Sequence, residues 1–170
     1  MSKGASVAYR LRPNKAVDRE LFVSFLSRLA ATLELEKYRY VGLGGAFLEE
    51  FRLLHARTGI MDMVCVEREE AVHERQKFNR PVASIECIHS TLEDYLQGEE
   101  FSTPIVLWLD YTEPGGIRSQ IECFCSQIAE LPIYSVIRIT LNANPGGLGT
   151  PDSDDGNPSR FVVRDLSLLR

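Results

Sequence analysis

Residues 38–45 read Tyr38-Arg39-Tyr40-Val41-Gly42-Leu43-Gly44-Gly45, a short strand-like run that stops at a glycine-rich turn. Apolar residues from Phe47 to Leu54 then follow at helical spacing, and Gly59 ends that pattern. Glycines lack a Cβ atom, so the backbone can turn sharply and a ligand can approach the helix N-terminus closely. The stretch therefore predicts a strand, a glycine turn and a helix in succession.

The same unit recurs along the chain. Four further strands are predicted from short apolar runs at Met63–Val66, Ala83–Ile88, Pro104–Leu109 and Tyr134–Leu141. Helical patterns separate them, and another helix, which Asp18 could cap, is predicted over about 19–36. Strands that alternate with helices are typical of a parallel sheet covered on both faces. We predict a Rossmann-like three-layer α/β sandwich with a mostly parallel sheet that is incomplete at the C-terminus.

The 170 residues predict one domain. Residues 1–37 form a basic N-terminal arm and helix, residues 38–141 a cofactor-binding core, and residues 142–170 a polar loop with one final strand near Phe161. Because this last segment offers a single strand, we expect a truncated chain. Missing sequence or a homo-oligomeric partner would then cover the sheet edge.

The composition excludes some classes of protein. No apolar run approaches the roughly 18 residues of a membrane span, and the N-terminus lacks the apolar core of a secretory signal. We therefore expect a cytoplasmic protein with no membrane partner. The net charge of −5 disfavours nonspecific nucleic-acid binding, although the basic N-terminal stretch keeps that class open. The four cysteines and three histidines show no metal-ligand spacing, so no metal is predicted.

Candidate cofactor residues follow the first two strands. In a parallel sheet, ligands bind at the carboxyl ends of the strands. Gly42, Gly44 and Gly45 follow the first strand, and Glu67 follows the second, 22 residues beyond Gly45. A carboxylate placed there can accept hydrogen bonds from both ribose hydroxyls of a nucleoside. The alternatives are a turn without a ligand and, for Glu67 and Arg68, a solvated charge run.

Candidate catalytic and substrate residues come from two other places. Asp110 and Tyr111 follow the most apolar strand, where an acid can hold a substrate or accept a proton. A helix cap or loop acid is the alternative for Asp110. Arg12 and Lys15 could clamp an anionic group over the cofactor, or they could belong to a solvated arm.

Four stretches, at residues 40–45, 64–67, 85–91 and 107–111, together resemble the successive motifs of class I S-adenosylmethionine-dependent methyltransferases. More narrowly, Trp108-Leu109-Asp110-Tyr111 resembles a motif of bacterial proteins labelled putative O-methyltransferases. The resemblance implies S-adenosylmethionine as cofactor, with the glycine loop under its methionine part. It further implies that Glu67 binds the ribose, that Ser90 and Thr91 lie near the adenine, and that Asp110 faces the reactive end. Arg68, next to Glu67, is a further candidate cofactor-binding residue.

Some positions depart from those patterns. The superfamily often has an acid where Tyr40 stands, and Ala46 stands two residues beyond Gly44 in place of another glycine. A nicotinamide-binding protein prefers the third glycine of the G-x-G-x-x-G motif, and Phe47 stands at that position here. A nicotinamide-dependent oxidoreductase is therefore the less favoured alternative. We predict transfer of a methyl group to an oxygen or nitrogen of an unknown acceptor. A noncatalytic Rossmann-like module remains the main alternative.

Overall fold

The computed structural model describes residues 13–111 and 117–141, in which five strands alternate with helices. The helices are α1 (Pro13–Leu29), α2 (Glu49–Thr58), α3 (Glu70–Asn79), α4 (Leu92–Gly98) and α5 (Ile117–Glu130), with a short 3-10 helix at Leu35–Lys37. The strands are β1 (Arg39–Gly42), β2 (Asp62–Glu67), β3 (Ile85–His89), β4 (Ile105–Asp110) and β5 (Val136–Thr140).

The strands form one parallel sheet in the order β3-β2-β1-β4-β5. Val41 in the middle strand pairs with Val64 on one side and with Leu107 on the other. The strand order reverses between β1 and β4, which is where open α/β sheets bind ligands. The prediction of a Rossmann-like α/β sandwich is confirmed, and every pairing among the described strands is parallel.

The sheet is covered on both faces, and successive strand residues alternate between them. Tyr40, Cys65 and Trp108 point into the core beneath α1 and α2. Val41 and Leu107 point to the opposite core, beneath α4. Strands buried on both faces read as continuous apolar runs, which explains why β2 and β4 were recognisable from sequence. β5 lies at the edge and is half-buried along its whole length.

The first helix differs from its prediction. It spans Pro13–Leu29, not 19–36, and Asp18 lies inside it without capping its start. Its first turns carry polar residues that pair with the sheet, Asp18 with Arg138 among them. The apolar periodicity that guided the prediction therefore begins well after the helix does.

Other boundaries are close to those predicted. The sequence pattern predicts a helix over about 117–130, and α5 spans Ile117–Glu130. It also predicts a helix that opens with the charged cluster 67–70 and runs to about Phe78, and α3 starts at Glu70, the last residue of that cluster. The sequence pattern also predicts a cap at Ser90-Thr91 for a short helix through Leu96. Thr91 does cap α4, because its side-chain oxygen accepts a hydrogen bond from the Asp94 N–H at 3.1 Å. The predicted strand near Phe161 lies outside the described residues.

Candidate functional site

The carboxyl ends of β1, β2 and β4 form a stepped edge. Gly42, the last residue of β1, pairs with Cys65 and with Trp108. Both neighbouring strands continue for two more residues, to Glu67 and to Asp110. The two strands that carry these carboxylates flank β1 and lie two strand spacings apart, about 10 Å, on either side of the turn that follows β1. The structure thus brings three of the predicted site segments to one edge.

The glycines of this turn are required by packing. A Cβ atom on Gly44 would lie 2.5 Å from the Leu48 side chain, 2.6 Å from Phe51 and 2.9 Å from the Cys65 sulfur. A Cβ atom on Gly42 would lie 2.6 Å from the Tyr40 hydroxyl. Gly45 has a positive φ of 42°. Gly44 therefore lets the start of α2 pack tightly against the sheet, and Gly42 leaves room for the Tyr40 ring. The predicted ligand contact is an additional role that remains a prediction.

Glu67 has a fixed orientation at the end of β2. The Glu69 N–H donates a hydrogen bond to Glu67 Oε1 at 2.9 Å, and the Ser90 N–H donates to the Glu67 carbonyl at 3.1 Å. The carbonyl of Arg68 lies 3.0 Å from Nε2 of His89. The structure therefore holds Glu67, Arg68 and Ser90 together, next to one another at the ends of β2 and β3.

Asp110 and Lys15 form an ion pair. Lys15 Nζ in the first turn of α1 lies 3.1 Å from Asp110 Oδ1 and 3.2 Å from Asp110 Oδ2. The predicted catalytic acid and one predicted substrate-binding residue are thus in direct contact. Arg12, the other predicted substrate-binding residue, lies outside the described residues.

Tyr111 is separated from Asp110 because successive strand-end residues point to opposite faces. Its side chain packs against the core beneath α4, and its hydroxyl donates a hydrogen bond to Glu93 Oε1 at 3.2 Å. Burial raises the pKa of Tyr111, and contacts with Cys123 and Glu93 raise it further. The two predicted catalytic residues therefore do not converge on one side of the sheet.

The sequence analysis did not predict that Glu50 and Arg19 form an ion pair at the site. Glu50, in the first turn of α2, is 7% exposed, and Arg19 of α1 is 8% exposed. Arg19 Nε lies 3.8 Å from Glu50 Oε2, and Arg19 Nη1 lies 3.4 Å from Glu49 Oε2. Burial raises the pKa of Glu50 to about 7, an effect that Arg19 opposes and Asp110 strengthens. The one feature of the sequence that pointed to this pair is that Arg19 belongs to the basic N-terminal stretch.

Trp108 supplies an aromatic wall. The Arg138 guanidinium lies 4.2 Å from the Trp108 ring centroid and forms an ion pair with Asp18 of α1. The indole N–H donates a hydrogen bond to Thr140 Oγ1 at 3.0 Å, and Phe22 packs edge-on at 5.0 Å between ring centroids. A cation stacked on an indole is favourable, so this group fixes α1 to β4 and β5.

These residues line a small open cleft between α1 and the carboxyl edge, next to the switch point between β1 and β4. Its lining comprises Lys15, Arg19, Leu43, Glu50, Trp108 and Asp110. This lining combines two cations and two carboxylates with one aromatic and one aliphatic side chain. Such a cleft suits a ligand that carries charged groups on an apolar frame.

The described part of the chain holds neither a cluster of metal ligands nor a membrane-spanning helix. No three histidine, cysteine or carboxylate side chains there come together as metal ligands. None of its helices combines the length and the apolar character needed to cross a bilayer.

Comparison with protein families places the chain among methyltransferases. The family model described as "Putative O-methyltransferase" matches residues 7–166. The chain belongs to this family. Searches of curated proteins and of solved structures found no match. The family domain includes the whole described sheet and the cleft, so the edge formed by β1, β2 and β4 is the candidate active site of a methyltransferase-family protein.

Proposed function

We propose that this member of the O-methyltransferase family uses S-adenosylmethionine to methylate an oxygen or nitrogen atom of an acceptor. The observation that supports this most is the stepped edge, where Glu67 and Asp110 flank the turn after β1 at the switch point of the sheet. All four cysteines are free thiols, which suits our proposal that the protein works in the cytoplasm.

The residues present fit such a cofactor chemically. Glu67, fixed by the Glu69 N–H, is the acceptor we assign to the ribose hydroxyls. The sulfonium cofactor carries positive charge, which suits the carboxylates of Asp110 and Glu50 on the cleft wall. When bound, it supplies an electrophilic methyl group. Asp110 then lies where a carboxylate can orient the acceptor or accept its proton, while Trp108 shields one side of the cleft from water.

Calorimetry with S-adenosylhomocysteine tests the proposal without knowledge of the acceptor. We expect binding to the unmodified chain and a roughly tenfold or greater loss of affinity in Glu67→Ala, because a charged hydrogen-bond acceptor of about 1.5 to 3 kcal/mol is removed. Glu69→Ala is the matched control, since it removes an exposed neighbouring carboxylate but keeps the N–H that Glu67 accepts. Absence of binding at millimolar ligand would refute the proposal.

A noncatalytic module would bind the same ligand without turnover. Trp108 is the single tryptophan of the chain and lines the cleft, so its emission reports occupancy of the cleft directly. Release of S-adenosylhomocysteine from S-adenosylmethionine in the presence of candidate hydroxyl and amine acceptors then distinguishes the enzyme from a binding module.

A further inference from the structure

Glu50 is a buried carboxyl whose charge is only partly compensated, by a hydrogen bond from its own backbone N–H and by Arg19. It lines the cleft at 7% exposure, and the 3.8 Å to Arg19 Nε is an ion-pair distance that is too long for a hydrogen bond. Arg19 is held instead at 3.4 Å by Glu49. A buried carboxylate needs hydrogen-bond donors to offset the loss of water. Glu50 therefore presents unused acceptor capacity to the cleft.

A second buried polar group lies beside it. The Tyr40 hydroxyl is fully buried and has no hydrogen-bond partner among the described residues. It sits under Gly42, and the Tyr40 ring packs edge-on against Phe51, the residue after Glu50. Burial raises the pKa of Tyr40, and the charge of Glu50 raises it further. The unpartnered Tyr40 hydroxyl and the Glu50 carboxyl therefore both lie near the end of β1, close enough to influence each other electrostatically.

The cations of the cleft come from one face of α1. Lys15 and Arg19 are four residues apart, so they lie one helical turn from each other and both face the sheet. Lys15 contacts Asp110, and Arg19 contacts the first turn of α2. A ligand that enters this cleft meets a carboxylate with spare acceptor capacity beside the cations of α1.

We propose that Glu50 binds the ammonium group of an α-amino acid moiety and that Arg19 and Lys15 bind its carboxylate. This inference rests on the proposed function, because S-adenosylmethionine carries such a moiety. An ammonium group donates up to three hydrogen bonds, which Glu50 Oε1 and Oε2 can accept. Arg19 keeps its contact with Glu49 and Lys15 keeps its contact with Asp110 while they engage the ligand, so neither cation of the cleft loses all of its compensation.

The proposed role of Glu50 makes ligand binding depend on pH. An ammonium group requires Glu50 in its ionised form, and burial raises the pKa of this carboxyl to about 7. Binding therefore displaces a proton near and below pH 7. The charged or titratable groups that act on Glu50 come from α1, α2, β1, β2 and β4, and they are Arg19, Glu49, Tyr40, Cys65 and Asp110.

Two ligands that differ only in this moiety provide the test. S-adenosylhomocysteine carries the α-amino acid, and 5′-methylthioadenosine has the same nucleoside thioether without it. In Glu50→Gln we expect the calorimetric affinity for S-adenosylhomocysteine to fall tenfold or more and that for 5′-methylthioadenosine to change less than twofold. Glu49→Gln, with the same change of charge next to it, is the control and should affect S-adenosylhomocysteine less than Glu50→Gln does.

The unmodified chain gives a second measurement that does not depend on the folding of a variant. At pH 6.5, heats measured in buffers of different ionisation enthalpy should show proton release with S-adenosylhomocysteine and none with 5′-methylthioadenosine. Equal losses for both ligands in Glu50→Gln, an unchanged affinity for S-adenosylhomocysteine, or no difference in proton release would each overturn the inference. If neither ligand binds the unmodified chain, the proposed function fails as well.

Discussion

Lys15 Nζ contacts both carboxylate oxygens of Asp110, at 3.1 and 3.2 Å, and so joins the start of α1 to the end of β4. The contact spans 95 positions of sequence and lies at the rim of the cleft. Asp110 is thereby held at the carboxyl edge, with its charge already paired. A cationic group of a ligand or acceptor must therefore compete with Lys15 for Asp110.

The first prediction is that this ion pair contributes little to stability. The side chains are 29% and 18% exposed, and partly solvated pairs contribute about 1 kcal/mol or less. In urea unfolding, we expect Lys15→Met and Asp110→Asn each to lower the unfolding free energy by no more than about 1 kcal/mol. The double variant isolates the coupling between them. A coupling well above about 2 kcal/mol would instead assign the pair to the structural core.

The second prediction concerns Gly44. A Cβ atom there would lie 2.5 to 2.9 Å from three buried side chains, so Gly44→Ala should lower the unfolding free energy by about 1 to 3 kcal/mol through overpacking. Gly98→Ala is the control, since a Cβ atom at this residue of α4 meets nothing within 4 Å. That variant should be neutral or slightly stabilising. Equal melting temperatures for the two variants would contradict the packing role.

The third prediction concerns Thr91 as the N-cap of α4. Its side-chain oxygen accepts the Asp94 N–H at 3.1 Å at the start of α4. Thr91→Ala should cost about 1 kcal/mol of unfolding free energy, and Thr91→Ser should retain most of it. Melting temperatures of the two variants check this. If both variants keep the stability of the unmodified chain, the hydroxyl is not a functional cap.

The arrangement of the sheet could be predicted because the relevant information is local. Central strands such as β4 are buried on both faces, so their residues form uninterrupted apolar runs between turns. Once five such runs alternate with helices, parallel pairing places their carboxyl ends along one edge. Glu67 and Asp110 could be expected to reach that edge for this reason, although their roles toward a ligand remain predictions.

The partner of Glu50 could not be predicted, because it depends on how α1 docks. In the sequence, Glu49 and Glu50 are typical acids of a first helical turn, which are usually solvated. The docking of α1 brings Arg19 across 30 positions of sequence and buries it against them. The start of α1 was itself placed too late, since its polar first turns show no apolar period.

The opposite orientation of Tyr111 follows from strand geometry. Asp110 ends β4 on the face of Trp108, and the next residue points to the face of Leu109. Adjacent residues that follow a strand were treated together in the sequence analysis as one catalytic pair. Because side chains alternate along a strand, Asp110 and Tyr111 lie on opposite faces of the sheet.

The last prediction is a pH dependence of stability that Glu50 causes. Its pKa rises from 4.5 to about 7 on folding, chiefly through burial, so the folded chain holds a proton that the unfolded chain has released over this range. Glu50 therefore lowers stability progressively as the pH rises from 4.5 to 7, by up to about 3 kcal/mol, and its effect is constant at higher pH. Glu50→Gln removes this titration. Its unfolding free energy relative to the unmodified chain should consequently increase between pH 4.5 and pH 8, measured by urea unfolding at each pH. Glu49→Gln, which changes the same charge at a more exposed position, should show a much smaller trend, and a flat difference for Glu50→Gln would mean that Glu50 is ionised throughout.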